Sequence, residues 1–213
     1  MEASAHLTLH PVEIRVLGAL IEKEITTPEY YPLSLNALVN ACNQKSNRDP
    51  VVFFDEDTVL EAIDTLRDKR FATIITGAGS RVPKYAHRFS ETLNLGRREI
   101  AVLCELMLRG AQTIGELRNR TERMHRFDDL SEVESIIERL PEMIVKLPRR
   151  PGEKESRYAH LFGGPVQVQD AMVEAPAASK QDRTGVLEAE LSSLREELQR
   201  LKDQFAEFRK QFE

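Results

Sequence analysis

The sequence has few of the residues that cross-link a chain, bind metal ions or cross a membrane. It contains two cysteines and no tryptophan in 213 residues, too few cysteines for a disulfide framework or a cysteine-rich metal site. It has no run of about 18 apolar residues, so we expect no membrane span. Its first residues lack the basic and apolar regions of a secretory signal, so we expect a cytoplasmic protein.

Motifs for nucleotide binding, metal binding and nucleophilic catalysis are also missing. The sequence has no P-loop, no glycine-rich dinucleotide fingerprint and no zinc-ligand spacing. His87 and His160 occupy equivalent places in two Tyr-Ala-His triplets, which favours a shared structural role over a ligand. Cys42 and Cys104 lie in apolar helical stretches, which is typical of core residues. We therefore predict that the protein is not an enzyme and holds neither a metal nor a cofactor.

The charge is unevenly distributed. The net charge is −5 and the isoelectric point is about 5.7, which argues against a protein that coats nucleic acid through bulk charge but leaves local basic patches open. Residues 93–165 carry 13 basic and 12 acidic side chains, a net charge of +1, while the segments on either side each carry −3. The middle segment is therefore the least repulsive to a polyanion.

The first 165 residues contain a degenerate repeat. The string EIRVL at Glu13–Leu17 is matched by EIAVL at Glu99–Leu103, and Tyr85–His87 returns as Tyr158–His160. The matches keep their order while the offset falls from 86 to 73 residues. This pattern indicates two copies of one small domain with shorter connections in the second.

Each repeat is predicted to have three helices followed by a β-hairpin. The predicted helices begin near Pro11, Ser34 and Asp55 in the first repeat, and near Arg97, Thr113 and Ser131 in the second, where the last two open with capping boxes. Three helices and a hairpin make a winged helix, in which helices two and three form the helix-turn-helix and the hairpin is the wing. We therefore predict a mainly α fold with small β-hairpins (α+β), built from tandem winged-helix domains at residues 8–92 and 93–163.

The amino-acid composition and the spacing of apolar residues change in the C-terminal part of the chain. Residues 164–185 are rich in alanine, glutamine and proline without a sustained period, and we interpret them as a flexible linker. Residues 186–213 have a 4-3 apolar spacing that predicts a coiled-coil helix and a parallel homodimer. The alternative is a helix that folds back onto a winged-helix domain. The predicted dimer seam consists of Leu187, Leu191, Leu194, Leu198, Leu201, Phe205, Phe208 and Phe212.

Two long strings resemble the bacterial YceH family of uncharacterised proteins. They are HPVEIRVLGALIEKEITTPEYYPLSLNALVNACNQKSNRDPVV and, further along the chain, GELRNRTERMHRFDDLSEVE. The resemblance covers about residues 7–163. It implies a tandem winged-helix fold, in agreement with the repeat, and it implies no catalytic residues and no established activity.

Polar and basic residues cluster between helices two and three of the first repeat. Amide and cationic side chains suit phosphates and base edges, so this segment is a candidate nucleic-acid contact. The alternative is that these residues cap helices and form turns. The candidate residues are Asn43, Gln44, Lys45, Asn47 and Arg48.

The corresponding place in the second repeat has the densest basic run, with four arginines in nine residues. Arginine binds phosphate and carboxylate bidentately, so we assign Arg118, Arg120, Arg123 and Arg126 as candidate contacts with nucleic acid or an acidic partner. The alternative is a solvated face whose arginines neutralise the charge of nearby carboxylates. Further candidates flank the two hairpins: Arg149, Arg150, Lys154 and Arg157 in the second wing, and Arg81 and Lys84 in the first.

The third helices argue against major-groove recognition. Their first halves carry Asp55–Asp57 in the first repeat and Glu132 and Glu134 in the second, and carboxylates repel a phosphate-lined groove. The leading interpretation is a DNA-binding regulator or nucleoid-associated protein that uses its basic loops and wings. The alternative is a protein-interaction scaffold that binds no nucleic acid, as in chromosome-segregation adaptors with two such domains. We expect no membrane partner.

Overall fold

The structure is a computed structural model that describes residues 8–76, 82–149 and 152–164. The coiled-coil seam predicted within residues 186–213 lies outside the described residues, as does the predicted linker beyond Gly164. Two candidate wing residues also lie outside them: Arg81 and Arg150.

Side-chain caps begin the helices of the first repeat (residues 8–92). A capping hydrogen bond satisfies one of the backbone N–H groups that the start of a helix leaves free. The side chains of His10, Ser34 and Asp55 each accept such a bond from a backbone N–H two or three residues further on. The helices that follow are α1 (Pro11–Thr26), α2 (Leu35–Cys42) and α3 (Glu56–Asp68). The three predicted helix starts agree with these caps.

The strands of the first repeat form one antiparallel sheet. They are β1 (Leu33–Ser34), β2 (Ala72–Ile75) and β3 (Lys84–His87), and β3 lies between the other two. Strands β2 and β3 form the predicted hairpin. The sequence does not predict β1, because two residues are too short to show an alternating pattern. A short helix, α4 (Phe89–Thr92), follows β3.

The second repeat (residues 93–163) has a similar order of elements. Its helices are α5 (Arg97–Arg109), α6 (Ile114–Arg120) and α7 (Leu130–Glu138), and its antiparallel strands are β4 (Ile144–Lys146) and β5 (Tyr158–His160). A single bridge between Gln112 and Tyr158 takes the place of β1. Thr113 and Glu116 form the predicted capping box, with reciprocal hydrogen bonds of 3.2 and 2.9 Å.

The predicted cap of α7 is wrong. The sequence pattern places a capping box at Ser131 and Glu134, but Asp129 is the N-cap residue and accepts a hydrogen bond of 3.0 Å from the backbone N–H of Glu132. The Ser131 hydroxyl instead donates to the Asp129 carboxylate at 2.6 Å. A carboxylate is favoured at this position because it also interacts with the positive end of the helix dipole.

Helices α1 and α5 pack against each other and join the two repeats. Gly18 in α1 approaches Leu108 in α5 so closely that a β-carbon added at Gly18 would lie 2.9 Å from a Leu108 methyl group. The thiol of Cys104 donates a hydrogen bond of 3.4 Å to the carbonyl of Gly18. Phe89 adds a second link, because its ring packs edge-on against Phe162 with the ring centres 5.3 Å apart. The two repeats therefore share one hydrophobic core.

The described residues form a mixed fold of helices and two small antiparallel sheets, as the predicted α+β class requires. Within that part of the chain, none of the helices combines the length and the apolar character needed to span a membrane.

Candidate nucleic-acid interface

The segment between α2 and α3 is folded inward around Arg48. The Arg48 side chain is fully buried, and its guanidinium donates hydrogen bonds of 3.2 and 2.7 Å to the Glu22 carboxylate in α1. It also donates to the carbonyl of Ala41 and to the side-chain oxygen of Gln44. The structure therefore corrects the prediction that Arg48 contacts nucleic acid, because no part of its side chain reaches the surface.

Other residues of the same segment hold the loop in place. The side chain of Asn43 bonds to both the N–H and the carbonyl of Phe54, at 2.8 and 2.7 Å. The side chain of Asn47 accepts a hydrogen bond from Arg109 in α5. Of the five predicted contact residues in this segment, Lys45 is the one whose side chain is exposed to solvent. The segment is therefore hydrogen-bonded to α1 through Arg48 and to α5 through Asn47.

The arginine run after α6 is divided between internal and exposed side chains. Arg118 donates a hydrogen bond of 2.9 Å to a backbone carbonyl in the loop before α7. Arg120 donates to a glutamine and a glutamate of its own repeat at 2.8 and 3.3 Å. Arg123 and Arg126 are exposed, and neither forms an ion pair with any residue that the structure describes. Two of the four predicted arginines are therefore free to meet a partner.

A groove of about 320 Å³ lies between the starts of α6 and α7 and the β4–β5 hairpin, and we call it the hairpin groove. The three cations that line it, Lys146, Arg149 and Lys154, are exposed. Their charge attracts anions, although two carboxylates also line the groove. The lining includes the apolar side chains Ile114, Leu130 and Tyr158 and the carboxylates Glu134 and Glu155.

The hairpin groove contains both predicted and unpredicted residues. Arg149 and Lys154 were expected in the wing and line the groove. Arg157 does not, because it bonds to Glu116 at 2.7 Å. Lys146 belongs to no motif; strand pairing sets it opposite Tyr158, with its ammonium 5.8 Å from the centre of the ring.

The exposed face of α3 is acidic. Its exposed cation, Arg67, forms an ion pair of 2.8 Å with Asp64, which leaves the other carboxylates of the helix to dominate the face. A phosphate backbone would be repelled there. The exposed carboxylates of α3 are Glu56, Asp57, Glu61, Asp64 and Asp68.

A polar cavity of about 300 Å³ lies where the two repeats meet. Glu105 of α5 lines this cavity, and its side chain is 6% exposed. The Glu105 carboxylate lies 3.1 Å from Nε of Arg109. Burial raises the pKa of Glu105 to about 7, an effect that Arg109 opposes and Glu22 reinforces. No sequence motif marks Glu105, because its burial depends on the packing of the two repeats.

The raised pKa of Glu105 predicts a specific dependence of stability on pH. Between about pH 4.5 and 7 the folded protein keeps a proton on Glu105 that the unfolded chain has released, so stability from this group falls as pH rises. Glu105→Gln removes that contribution. From pH 5 to pH 8, we expect the free energy of unfolding of the wild type to fall by about 2–3 kcal/mol relative to Glu105→Gln. Urea unfolding across this range measures the difference.

Glu122→Gln is the matched control for this experiment, because Glu122 lines the same cavity but is exposed. The free energy of unfolding of Glu122→Gln should depend on pH in the same way as that of the wild type. Burial lowers the pKa of His160 to about 4. This makes the free energy of unfolding rise with pH, by the same amount in all three proteins, so the contribution of His160 cancels in the comparison. Parallel pH profiles for the wild type and Glu105→Gln would contradict the prediction.

The histidines and cysteines singled out in the sequence are held inside the fold. His87 lies 2.7 Å from the Glu24 carboxylate, and the ring of His160 stacks on Phe162. Both cysteines are buried, as predicted, and burial raises the pKa of Cys42 to about 12 and that of Cys104 well above its ordinary value. Within the described ranges, no group of three histidine, cysteine, aspartate or glutamate side chains is arranged to hold a metal ion.

Comparison with known proteins identifies relatives along most of the chain. The model of a family described as "Protein of unknown function, DUF480" matches residues 9–153. A UPF0502 protein of Solibacter usitatus (strain Ellin6076) is 56% identical over 211 residues, which cover 96% of this chain and 98% of that protein. A UPF0502 protein of Aeromonas hydrophila subsp. hydrophila is 50% identical over 212 residues, covering 94% and 98%.

Proposed function

The chain belongs to the DUF480 family, as the resemblance in its sequence predicted, and we propose that it is a cytoplasmic, non-catalytic DNA-binding protein that contacts phosphates through its second repeat. In this proposal both repeats are winged helices, at residues 8–92 and 93–163. The order of helices and strands supports that assignment, since in each repeat a hairpin follows the third helix and pairs with a short segment before the second.

The exposed cations of the hairpin groove are the observation that carries the proposal. Lys146, Arg149 and Lys154 lie where the wing and the third helix of a winged helix approach each other. Contacts of this kind go to phosphate oxygens, so they position the protein without reading the base sequence. Exposed Arg123 and Arg126 add charge to the same repeat. We therefore expect binding to duplex DNA with little sequence preference and a strong dependence on salt.

The double substitution Lys146→Gln and Lys154→Gln tests this proposal. If each lysine neutralises one phosphate, the log–log salt slope should become shallower by about 2, and all duplex sequences should be affected alike. Fluorescence anisotropy with a labelled duplex at several salt concentrations measures both quantities. Lys45→Gln with Lys84→Gln is the matched control, because it removes two exposed lysines from the first repeat.

Two results would contradict the DNA proposal. One is the absence of association up to about 100 μM protein at low salt, the weak end of non-specific DNA binding. The other is an equal change of slope in the control variant, which would assign the effect to total charge or to the first-repeat candidates Lys45 and Lys84 rather than to the hairpin groove alone.

A protein-interaction scaffold is the second candidate function, and the acidic face of α3 favours it. Exposed carboxylates there disfavour DNA but suit a basic protein partner. A pull-down from bacterial lysate with and without nuclease separates the candidates, since partners held through DNA are lost on nuclease treatment and direct protein partners remain. Under either function we propose a homodimer held by the coiled coil predicted within residues 186–213.

A further inference from the structure

Phe53 is presented to solvent on a well-anchored loop. Phe53 is 80% exposed, and Val51, two residues earlier, is 41% exposed. The next residue, Phe54, is fixed by the two hydrogen bonds from the Asn43 side chain and packs against the core. The backbone that carries Phe53 is therefore held in place, which lowers the part of the entropy cost of binding that comes from ordering the loop.

A cluster of carboxylates lies just after this aromatic side chain in the sequence. Asp55, Glu56 and Asp57 come immediately after Phe54 and are all exposed. They form no ion pair with any residue in the described part of the chain. Phe53 and these three carboxylates together, which we call the Phe53 knob, are an apolar anchor beside a cluster of negative charge.

The hairpin groove complements the Phe53 knob in both apolar surface and charge. Ile114, Leu130 and Tyr158 give it an apolar lining, and Leu130 is 49% exposed. Lys146, Arg149 and Lys154 supply three positive charges, against the two negative charges of Glu134 and Glu155. A volume of about 320 Å³ accommodates a phenylalanine side chain. Burying the Phe53 ring against the apolar lining removes water from both surfaces. The carboxylates of the Phe53 knob then lie near the lysines and the arginine of the groove.

We propose that the Phe53 knob of one molecule docks in the hairpin groove of a second molecule of the same chain. Phe53 does not line the groove of its own molecule, where it is exposed instead. The contact joins two different surfaces, so it is heterologous. It is small and therefore transient unless another contact raises the local concentration. The inference goes beyond DNA binding and does not depend on it.

Photo-cross-linking of the full chain tests this proposal. Phe53 is replaced by the photoreactive analogue p-benzoylphenylalanine, and this protein is mixed with ¹⁵N-labelled wild-type chain in the absence of DNA. We expect cross-links from position 53 to labelled peptides that contain Leu130, Lys146 or Tyr158. The same analogue at Tyr30, another exposed aromatic of the first repeat, is the control and should not mark those peptides.

Charge reversal tests the electrostatic part of the contact. Asp57→Lys in the cross-linking chain and Lys154→Glu in the labelled chain should each lower the yield about three- to tenfold, and the combination should restore it. Asp68→Lys is the matched control, because Asp68 is exposed at the other end of α3. Cross-links confined to one molecule, cross-links outside the hairpin groove, or no recovery in the combination would overturn the proposal.

Discussion

Replacing Arg48 with alanine should lower the free energy of unfolding by about 3–5 kcal/mol, the cost of removing one partner from a buried ion pair. Arg48 donates two hydrogen bonds to Glu22, whose side chain is 8% exposed. Without the guanidinium, Glu22 keeps Lys23 as a cationic neighbour at 3.1 Å but loses its buried partner. The carbonyl of Ala41 loses its donor as well.

The effect of Arg48→Ala should depend on pH. Burial by itself would raise the pKa of Glu22, but the hydrogen bonds and charge of Arg48, with the charge of Lys23, lower it overall. A lowered folded-state pKa contributes stability that is present above the ordinary carboxylate pKa and is lost as pH falls. The destabilisation should therefore be largest near neutral pH and shrink as pH falls below about 4.5.

Chemical denaturation of Arg48→Ala and Lys45→Ala measures this prediction. Lys45 lies in the same segment but is exposed, so its substitution should change stability by less than about 0.5 kcal/mol. DNA affinity per folded molecule should be unchanged in Arg48→Ala, because the side chain is not at the surface. A stable Arg48→Ala variant with weakened DNA binding would show that the original sequence prediction for this arginine was right.

Substitutions at the contact of α1 with α5 should be strongly non-additive. Leu108 is buried, and Leu108→Ala should cost about 2–5 kcal/mol through lost burial and a cavity. Gly18→Ala places a β-carbon 2.9 Å from Leu108 and should cost about 1–3 kcal/mol through overpacking, partly offset by the better helix propensity of alanine. In the Leu108→Ala background the same methyl group loses its two closest contacts, and the next, the β-carbon of Met107, lies at 3.4 Å. Gly18→Ala should therefore be neutral or stabilising there.

A double-mutant cycle by thermal or chemical denaturation measures this coupling. We expect an interaction energy of at least about 1 kcal/mol between Gly18 and Leu108. Gly115→Ala is the control, because an added β-carbon there meets nothing closer than 3.9 Å. Additive effects would mean that the repeats do not pack closely through α1 and α5. Separate unfolding transitions of the two repeats would contradict a shared core.

The local features of the fold could be predicted from the sequence. Capping residues act on backbone groups two or three residues away, so Ser34, Asp55 and Thr113 mark helix starts without any knowledge of the tertiary structure. The error at Ser131 has the same local origin, because Asp129 competes for the same backbone groups. Repeated strings likewise predicted that residues 97–160 would follow the order of elements seen in residues 11–87.

The candidate site depended on contacts between residues far apart in the chain. Arg48 is of a residue type that commonly contacts phosphates, yet it is buried because it forms an ion pair with Glu22, which lies 26 residues away in the chain. Lys146 and Tyr158 meet through strand pairing, and Glu105 is buried where the repeats join. The sequence by itself determined most of the helix starts, the order of the predicted elements and the family, because these follow from neighbouring residues and recurring strings. The tertiary structure alone decided which charged side chains are buried and which face solvent, because burial is set by surfaces that meet only after the chain has folded.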